Sequence, residues 1–333
     1  MSELVTSSDH SSVVGSPPIL KIENLTVSFG HGRFPAIRGV DFELGAGEIL
    51  GLVGESGSGK SLTAFSIMGL LPFGATLDSG SVIFQGTDLT TLPPKDRRAV
   101  CGRNMGMVFQ EPLTALNPVF TIGEQITEIF RHRLGSQAKE AKKMAVELLS
   151  QVGLPNPARA AQSYPHRFSG GMRQRVVIAM ALALNPELVI ADEPTTALDP
   201  TIAAQIIRLL KAMSANRDTA VLFITHNLRL LTDLAGRVLV MYAGLIVEQT
   251  SGNFSGPLHP YTKGLMKALP PAPSSGVTGR LVPISGQPPA PDEHYPGCPF
   301  EPRCPERQKI CAEYCPPLLA KPNGRLVRCH LYQ

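Results

Sequence analysis

Residues 54–61 read Gly-Glu-Ser-Gly-Ser-Gly-Lys-Ser and fill every fixed position of G-x-x-x-x-G-K-[ST], a pattern whose chemistry is phosphate binding. Gly54, Gly57 and Gly59 let backbone N–H groups wrap an anion, and the N-terminus of a following helix adds a favourable field. Lys60 is placed to reach β- and γ-phosphates, and the Ser61 hydroxyl to ligate Mg²⁺. Glu55, Ser56, Ser58 and Leu62 complete the expected nucleotide contacts. An ordinary Gly/Ser turn would not require its flanks to be ordered. Here Glu48 to Val53 is a short apolar run of strand type, and Leu62 to Met68 reads as a helix.

A second group of chemically able residues lies at 188–193. Leu188 to Ala191 reads as a buried parallel strand, and Asp192 and Glu193 follow it directly. Carboxylates at the C-terminal end of such a strand face the crevice where α/β sheets bind ligands. Asp192 is placed to hold Mg²⁺ through water, and Glu193 to orient or deprotonate an attacking water. Alone, this segment could be an acidic loop after a core strand. Beside the phosphate loop it becomes half of a triphosphate site.

The elements that must position these groups follow from periodicity. Between Ile19 and Glu43, apolar and polar residues alternate, which predicts antiparallel strands ahead of the loop, continued at Val82 to Phe84. Met105 to Phe109 is a further β region ending at Gln110. From 122 to 150 the apolar spacing becomes helical, as at Ile122, Ile126 and Phe130, so a helical insertion is expected there. A helix after Ser169, a helix from Ile202 to Met213, a strand from Ala220 to Ile224 and closing strands near 239–241 and 245–247 complete the α/β pattern. Residues 1–18 are Ser-rich, lack the basic start and apolar stretch of a signal peptide, and are expected to be a disordered tail.

The chain has 333 residues, room for one large α/β domain and a smaller appendage. Its net charge of +4 is mild and argues against a dedicated nucleic-acid binder. No apolar run approaches the roughly 18 residues of a membrane-spanning helix. A cytoplasmic location is expected. Past Gly252 the composition turns Pro-rich, and five of the six cysteines crowd into the end of the chain, at Cys298, Cys304, Cys311, Cys315 and Cys329. In a reducing compartment such crowding points to metal rather than disulfides.

Several further segments resemble the ATP-binding-cassette (ABC) ATPases. Phe168 to Arg175, containing Ser169, Gly170 and Gly171, is similar to their signature motif, with Phe168 and Met172 where Leu and Gln are usual. Thr196 to Asp199 resembles the D-loop, His226 stands where the switch histidine does, and Gln110 where the Q-loop glutamine does. The resemblance implies a P-loop NTPase cassette: a mixed sheet with an antiparallel β subdomain over 19–251 and a helical subdomain at about 111–185. It implies two cassettes facing head to tail, with Ser169, Gly170 and Gly171 serving the partner's nucleotide and Asp199 coupling the sites. His226 would contact the γ-phosphate, Gln110 would sense Mg²⁺ and water, and Phe29 would stack on adenine, with Phe34 close by.

Three segments narrow the branch. Glu111 to Pro118, Tyr164 to Met172, and His259 to Leu265 with the cysteine-bearing tail resemble the ATPases of dipeptide/oligopeptide permeases. That resemblance implies an ATP hydrolase driving peptide import, peripheral on the cytoplasmic face of the membrane. It would work with two integral-membrane permeases, a second ATPase subunit, identical or paralogous, and an extracytoplasmic peptide-binding protein, without nucleic acid. Residues 252–333 would form a Pro-rich linker and a small irregular Cys-rich domain. Cys298, Cys304, Cys311 and Cys329 coincide with the family's four cluster ligands and would hold [4Fe–4S], with zinc or free thiols as alternatives and Cys315 as a possible substitute ligand. Nickel or glutathione as cargo, or a soluble ABC protein acting on nucleic acid or ribosomes, are the rival readings.

Overall fold

Strands that must bury both faces differ in sequence from those that bury one, and this chain has a sheet of each kind. The computed structural model describes residues 17–30, 33–196, 198–269, 282–290, 293 and 295–333. The expected disordered tail, apart from Pro17 and Pro18, lies outside the described residues, as does 270–281 of the expected linker.

The one-sided sheet is antiparallel, in the order Phe34–Leu44, Leu20–Phe29, Ala75–Phe84, Thr87–Asp88. Leu20, Ile22, Leu25 and Val27 point inward from one strand and Ile37, Val40, Phe42 and Leu44 from the next. Their alternation is what the sequence pattern predicts.

The other sheet has eight strands, in the order Leu319–Lys321, Arg325–Val327, Leu245–Ser251, Arg237–Tyr242, Ile49–Val53, Ala220–Thr225, Leu188–Asp192, Met105–Val108. The last five are parallel to one another and the first three pairings antiparallel. Successive side chains feed two separate cores. Val189, Ala191, Val221 and Phe223 pack against the helices, while Leu188, Ile190, Leu222 and Ile224 pack under the antiparallel sheet and the helix Lys60–Met68. Burial on both faces is why these strands read as unbroken apolar runs.

Register then determines where chemistry can gather. Val53 lies opposite Thr225, and Ile224 lies opposite Asp192. The strands therefore end level, and the residues that follow them (Gly54, Glu193 and His226) emerge at one edge.

Between Gln110 and Ser169 the chain is helical, with main elements Ile122–Leu134 and Ala138–Gln151. The first has a capping box, Thr121 with Glu124, and stops at Gly135 in the left-handed conformation. Ile122, Ile126 and Phe130 meet Ala141, Ala145 and Leu149 in the helical-side core. The helix Pro94–Asn104 has no apolar stripe and buries only Cys101, so its sequence carries no period to read.

The tail does not stand apart as an irregular appendage. Its strands Leu319–Lys321 and Arg325–Val327 extend the large sheet, and Tyr261 and Phe300 enter the same core as the parallel strands. The join is a helix, Pro260–Lys267, whose N-cap is His259.

His259 is 1% exposed and its Nδ1 accepts the N–H of Tyr261 at 3.0 Å. Burial pushes its pKa down from 6.5 to about 3. Above pH 6.5 the ring is neutral folded or unfolded, so His259 adds no pH dependence there. Below it only the unfolded chain takes up the proton, and stability falls by about 1.4 kcal/mol per pH unit until the folded pKa is reached. Thermal unfolding at pH 7 and pH 5 should therefore show a smaller acid loss for His259→Asn, which keeps a side-chain acceptor. An identical loss in both proteins would remove His259 as the cause.

Candidate functional site

The phosphate loop bridges the end of Ile49–Val53 and the helix Lys60–Met68. Two glycines are obligatory for steric reasons. A side chain at Gly54 would overlap the carbonyl oxygen of Met241, and Gly59, the helix N-cap, has φ +105°. Within the loop, Lys60 is 5% exposed, and its Nζ donates to the carbonyls of Gly54 and Glu55, both at 2.9 Å. Burial pushes its pKa down, opposed by the carboxylates of Glu193, Asp192 and Glu55. Its ammonium is parked on neutral acceptors that an anionic ligand would outcompete.

Asp192 is 2% exposed, and burial raises its pKa against a hydrogen bond from Ser61. Its Oδ1 has no partner. A buried carboxylate oxygen without a partner, next to a serine hydroxyl, fits a hard cation with oxygen ligands. Ser61 and Asp192 are thus suited to Mg²⁺.

Glu193 sits at φ +47°, a backbone region that a residue of this type occupies only when its surroundings enforce it. They do so here. Its N–H donates to the carbonyl of Ile224 at 2.9 Å. One carboxylate oxygen, Oε2, lies 3.0 Å from His226 Nδ1, 3.2 Å from Gln110 Nε2 and 2.9 Å from Thr196 Oγ1. The glutamate, glutamine and histidine expected from sequence thus converge on a single oxygen. Thr196 is an addition, detectable only because it lies in the D-loop segment.

A pocket of about 360 Å³ opens over the loop. Of the expected residues it is lined by Phe29, Ser56, Gly57, Gly59, Lys60, Ser61, Leu62, Gln110 and Glu193. Phe29 and Phe34 are cross-strand partners and both line it, so the aromatic wall is shared between them. Gly54, Glu55, Ser58 and Asp192 lie beneath or beside this pocket rather than on its wall. Arg38, Glu293 and Tyr295 line it without having been expected, and Arg38 Nη2 donates to the Tyr295 carbonyl at 3.5 Å. Nothing local in the sequence signals a contact between residues so far apart in the chain.

Ser169, Gly170, Gly171 and Asp199 are not brought to this pocket. Ser169 caps the helix Gly170–Leu182 by accepting the Met172 N–H at 3.4 Å, and Asp199 caps Pro200–Arg217 by accepting the Ile202 N–H at 3.0 Å. Ser169, Gly170 and Asp199 are exposed. Ala197, in the D-loop segment, lies outside the described residues.

Cys298, Cys304, Cys311 and Cys329 line one small cavity of about 20 Å³, together with His259 and Pro316. Cys315 does not line it, and its Sγ is 3.9 Å from the Pro316 carbonyl oxygen. All six cysteines are free thiols. The donor set suits a soft metal or cluster. Among the described residues no three His, Cys, Asp or Glu side chains are gathered to hold an ion.

The chain has relatives among known proteins. The family described as ABC transporter matches residues 37–196, and the oligopeptide/dipeptide transporter C-terminal region matches 248–311. The chain is 47% identical over 320 residues to the oligopeptide transport ATP-binding protein AppD of Bacillus subtilis (strain 168), covering 95% of this chain and 97% of that one. Against the dipeptide transport ATP-binding protein DppD of the same strain it is 46% identical over 319 residues, 94% of each. Among solved structures, a dimeric post-hydrolysis state of the cassette MJ0796 bound to ADP and Pi superposes with TM-score 0.64 at 28% identity, covering 70% of this chain and 98% of that one.

Two substitutions probe the site. Glu193→Gln should still bind ATP but hydrolyse it about 10²–10⁴-fold more slowly, the usual worth of a positioned base. Near-normal turnover would take Glu193 out of that role. Lys60→Ala should weaken ATP binding at least about tenfold by removing a charge-assisted contact to phosphate, and an unchanged dissociation constant in equilibrium titration would overturn the assignment of the loop.

Proposed function

Because the chain belongs to the ABC ATPases of the oligopeptide/dipeptide transporter family, and is the ATP-binding, ATP-hydrolysing subunit of a peptide importer, we propose that its own pocket supplies half of one reacting site and a second cassette supplies the rest. The observation that carries this reading is the separation of Ser169 and Gly170, exposed at a helix N-terminus, from the pocket holding Lys60 and Glu193. Free N–H groups at a helix start bind anions well. In a head-to-tail pair these would meet the γ-phosphate on the partner, with Asp199 at the seam.

The residue roles follow. Lys60 leaves the carbonyls of Gly54 and Glu55 for the β- and γ-phosphates. Ser61 and Asp192 would hold Mg²⁺, which when bound neutralises charge on the phosphate oxygens. Phe29, with Phe34, offers a face to the base. Glu193 orients water and accepts its proton, while Gln110 and His226 hold the carboxylate and respond to the γ-phosphate. A bound γ-phosphate would draw them from the shared contact on Glu193 Oε2 that they make without it, and its loss would restore that contact and let the cassettes part.

The transmembrane work belongs to partners. Among the described residues no helix is long and apolar enough to cross a membrane. A groove of about 570 Å³ lined by Phe109, Ala115, Phe120 and Val177 lies between the large sheet and the helical insertion, and Leu113, Val119 and Phe120 are exposed beside it. Exposed apolar groups around a groove suit a short permease helix. The reading is therefore a peripheral ATPase on the cytoplasmic face, bound to two permeases fed by a peptide-binding protein, beside a second ATPase that is a paralogue or a copy. Residues 19–251 form its ATPase domain and 252–333 its Pro- and Cys-rich extension. The four thiols would draw inward on a [4Fe–4S] cluster, with zinc as the alternative, and serve folding of the extension.

Reconstitution with the permeases in proteoliposomes tests this arrangement. The double variant Leu113→Ser/Phe120→Ser should keep basal ATP hydrolysis and lose most peptide uptake. Full uptake would move the permease contact elsewhere, and recovery of nucleic acid instead of permeases would favour a soluble ABC protein. Anaerobic purification of the same complex should yield about four iron per subunit. Zinc or no metal would remove the cluster while leaving the ATPase intact.

A further inference from the structure

The phosphate loop is gripped from outside the ATPase motifs. Glu55, its second residue, turns its carboxylate toward Arg303, which lies between Cys304 and the buried Phe300. The two form a fork, Nη1 to Oε2 at 2.7 Å and Nη2 to Oε1 at 3.0 Å. The Arg303 side chain is only 5% exposed and that of Glu55 25%. Arg303 is also fixed by donating from Nη1 to the Tyr242 hydroxyl at 3.2 Å and from Nε to the Ser285 carbonyl at 3.1 Å.

A second contact runs beside the first. The backbone N–H of Glu55 donates to the Tyr261 hydroxyl at 2.9 Å. Tyr261, Tyr242 and Phe300 pack into one aromatic cluster of tilted and edge-on rings, with centroids 4.6 to 5.4 Å apart. The cluster ties the helix Pro260–Lys267, the turn Glu301–Arg303 and the large sheet together. Glu55 is thus held by carboxylate and amide to the extension, while its carbonyl receives Lys60 Nζ.

We propose that the C-terminal extension is an in-chain clamp on the phosphate loop, with Arg303 as a positioning residue that fixes Glu55 and cancels its charge. The electrostatics demand such a partner. An unpaired carboxylate inside a loop built for a triphosphate would repel the ligand at short range in a poorly solvated cleft. Arg303 removes that repulsion, and its planar fork sets the loop's conformation as a lysine could not. Because the turn carrying Arg303 ends at Cys304 and follows Cys298, whose N–H donates to the Cys311 carbonyl at 2.7 Å, the thiol-lined fold holds the clamp in place. The extension thereby sets ATP affinity, a role that rests on the ATP-site reading above.

The test is a double-mutant cycle in the full-length chain, with Mg-ATP affinity and saturated turnover measured separately. Arg303→Ala should raise the ATP dissociation constant about tenfold, since it strands a half-buried carboxylate, while saturated turnover changes less than about twofold. Glu55→Ala/Arg303→Ala should recover most of the lost affinity, which a purely structural role for Arg303 would not allow. Wild-type affinity in Arg303→Ala, or a double variant as weak as the single one, would overturn the clamp. If Arg303→Ala does not fold, Arg303→Lys takes its place: a several-fold loss supports the fork, and wild-type affinity refutes it. Lys60→Ala separates the two levels. Should it bind ATP normally the site reading itself is wrong, whereas loss of binding there with none in the Arg303 variants sinks the clamp alone.

Discussion

A lysine and an aspartate, each almost wholly buried, share the cleft at the end of the central strand, and among the described residues no ion pair joins them. Lys60 rests on two backbone carbonyls and Asp192 leaves one oxygen without a partner. Burying charge in this way is costly unless a ligand later completes it. The remaining fold must therefore be rigid enough to hold both groups apart and ready. Rigidity comes from strands buried on both faces, whose alternate side chains lock into two independent cores.

The same sheet explains why motifs scattered over some 170 residues reach one place. Parallel register makes Ile49–Val53, Leu188–Asp192 and Ala220–Thr225 end together, and each loop leaving that edge carries one chemical group. Glu193 accepts a strained backbone there because four neighbours determine its position: the Ile224 carbonyl and the side chains of His226, Gln110 and Thr196. Strain of this kind persists only where surroundings over-determine it. It also means that displacement of one neighbour is felt directly by the carboxylate.

Local features of this arrangement were legible in the sequence. The phosphate loop, the strand ending in Asp192 and Glu193, and the helical insertion each lie within a short window whose residue types state both period and chemistry. The helix Pro94–Asn104 was not legible, because a helix that buries only Cys101 has no apolar face to betray it. Nor were the short strands Leu319–Lys321 and Arg325–Val327, which are too brief for alternation to count. Contacts made by Tyr261, Tyr295 and Arg303 were hidden for a different reason. They depend on a Pro-rich segment returning to the first quarter of the chain, and no local pattern encodes a distance of that kind. The thiols show the converse: composition pointed to five crowded cysteines, and only the family resemblance singled out the four that line one cavity.

With catalysis divided between two cassettes, as proposed, affinity and turnover come under separate control. The pocket over Lys60 can admit a nucleotide using one chain alone, since its cation, hydroxyl and aromatic wall all come from that chain. Completion requires the anion-binding helix start at Ser169, which this chain presents to solvent instead of to its own pocket. Docking is then favoured only while a γ-phosphate is present to be shared, so the nucleotide itself biases the open and closed pairs. The extension acts on the earlier step, because it grips Glu55 and lends Glu293 and Tyr295 to the pocket that admits the nucleotide, whereas Glu193 is held by Gln110, Thr196 and His226. A transporter built this way can tune how readily it charges with ATP without altering the chemistry that discharges it.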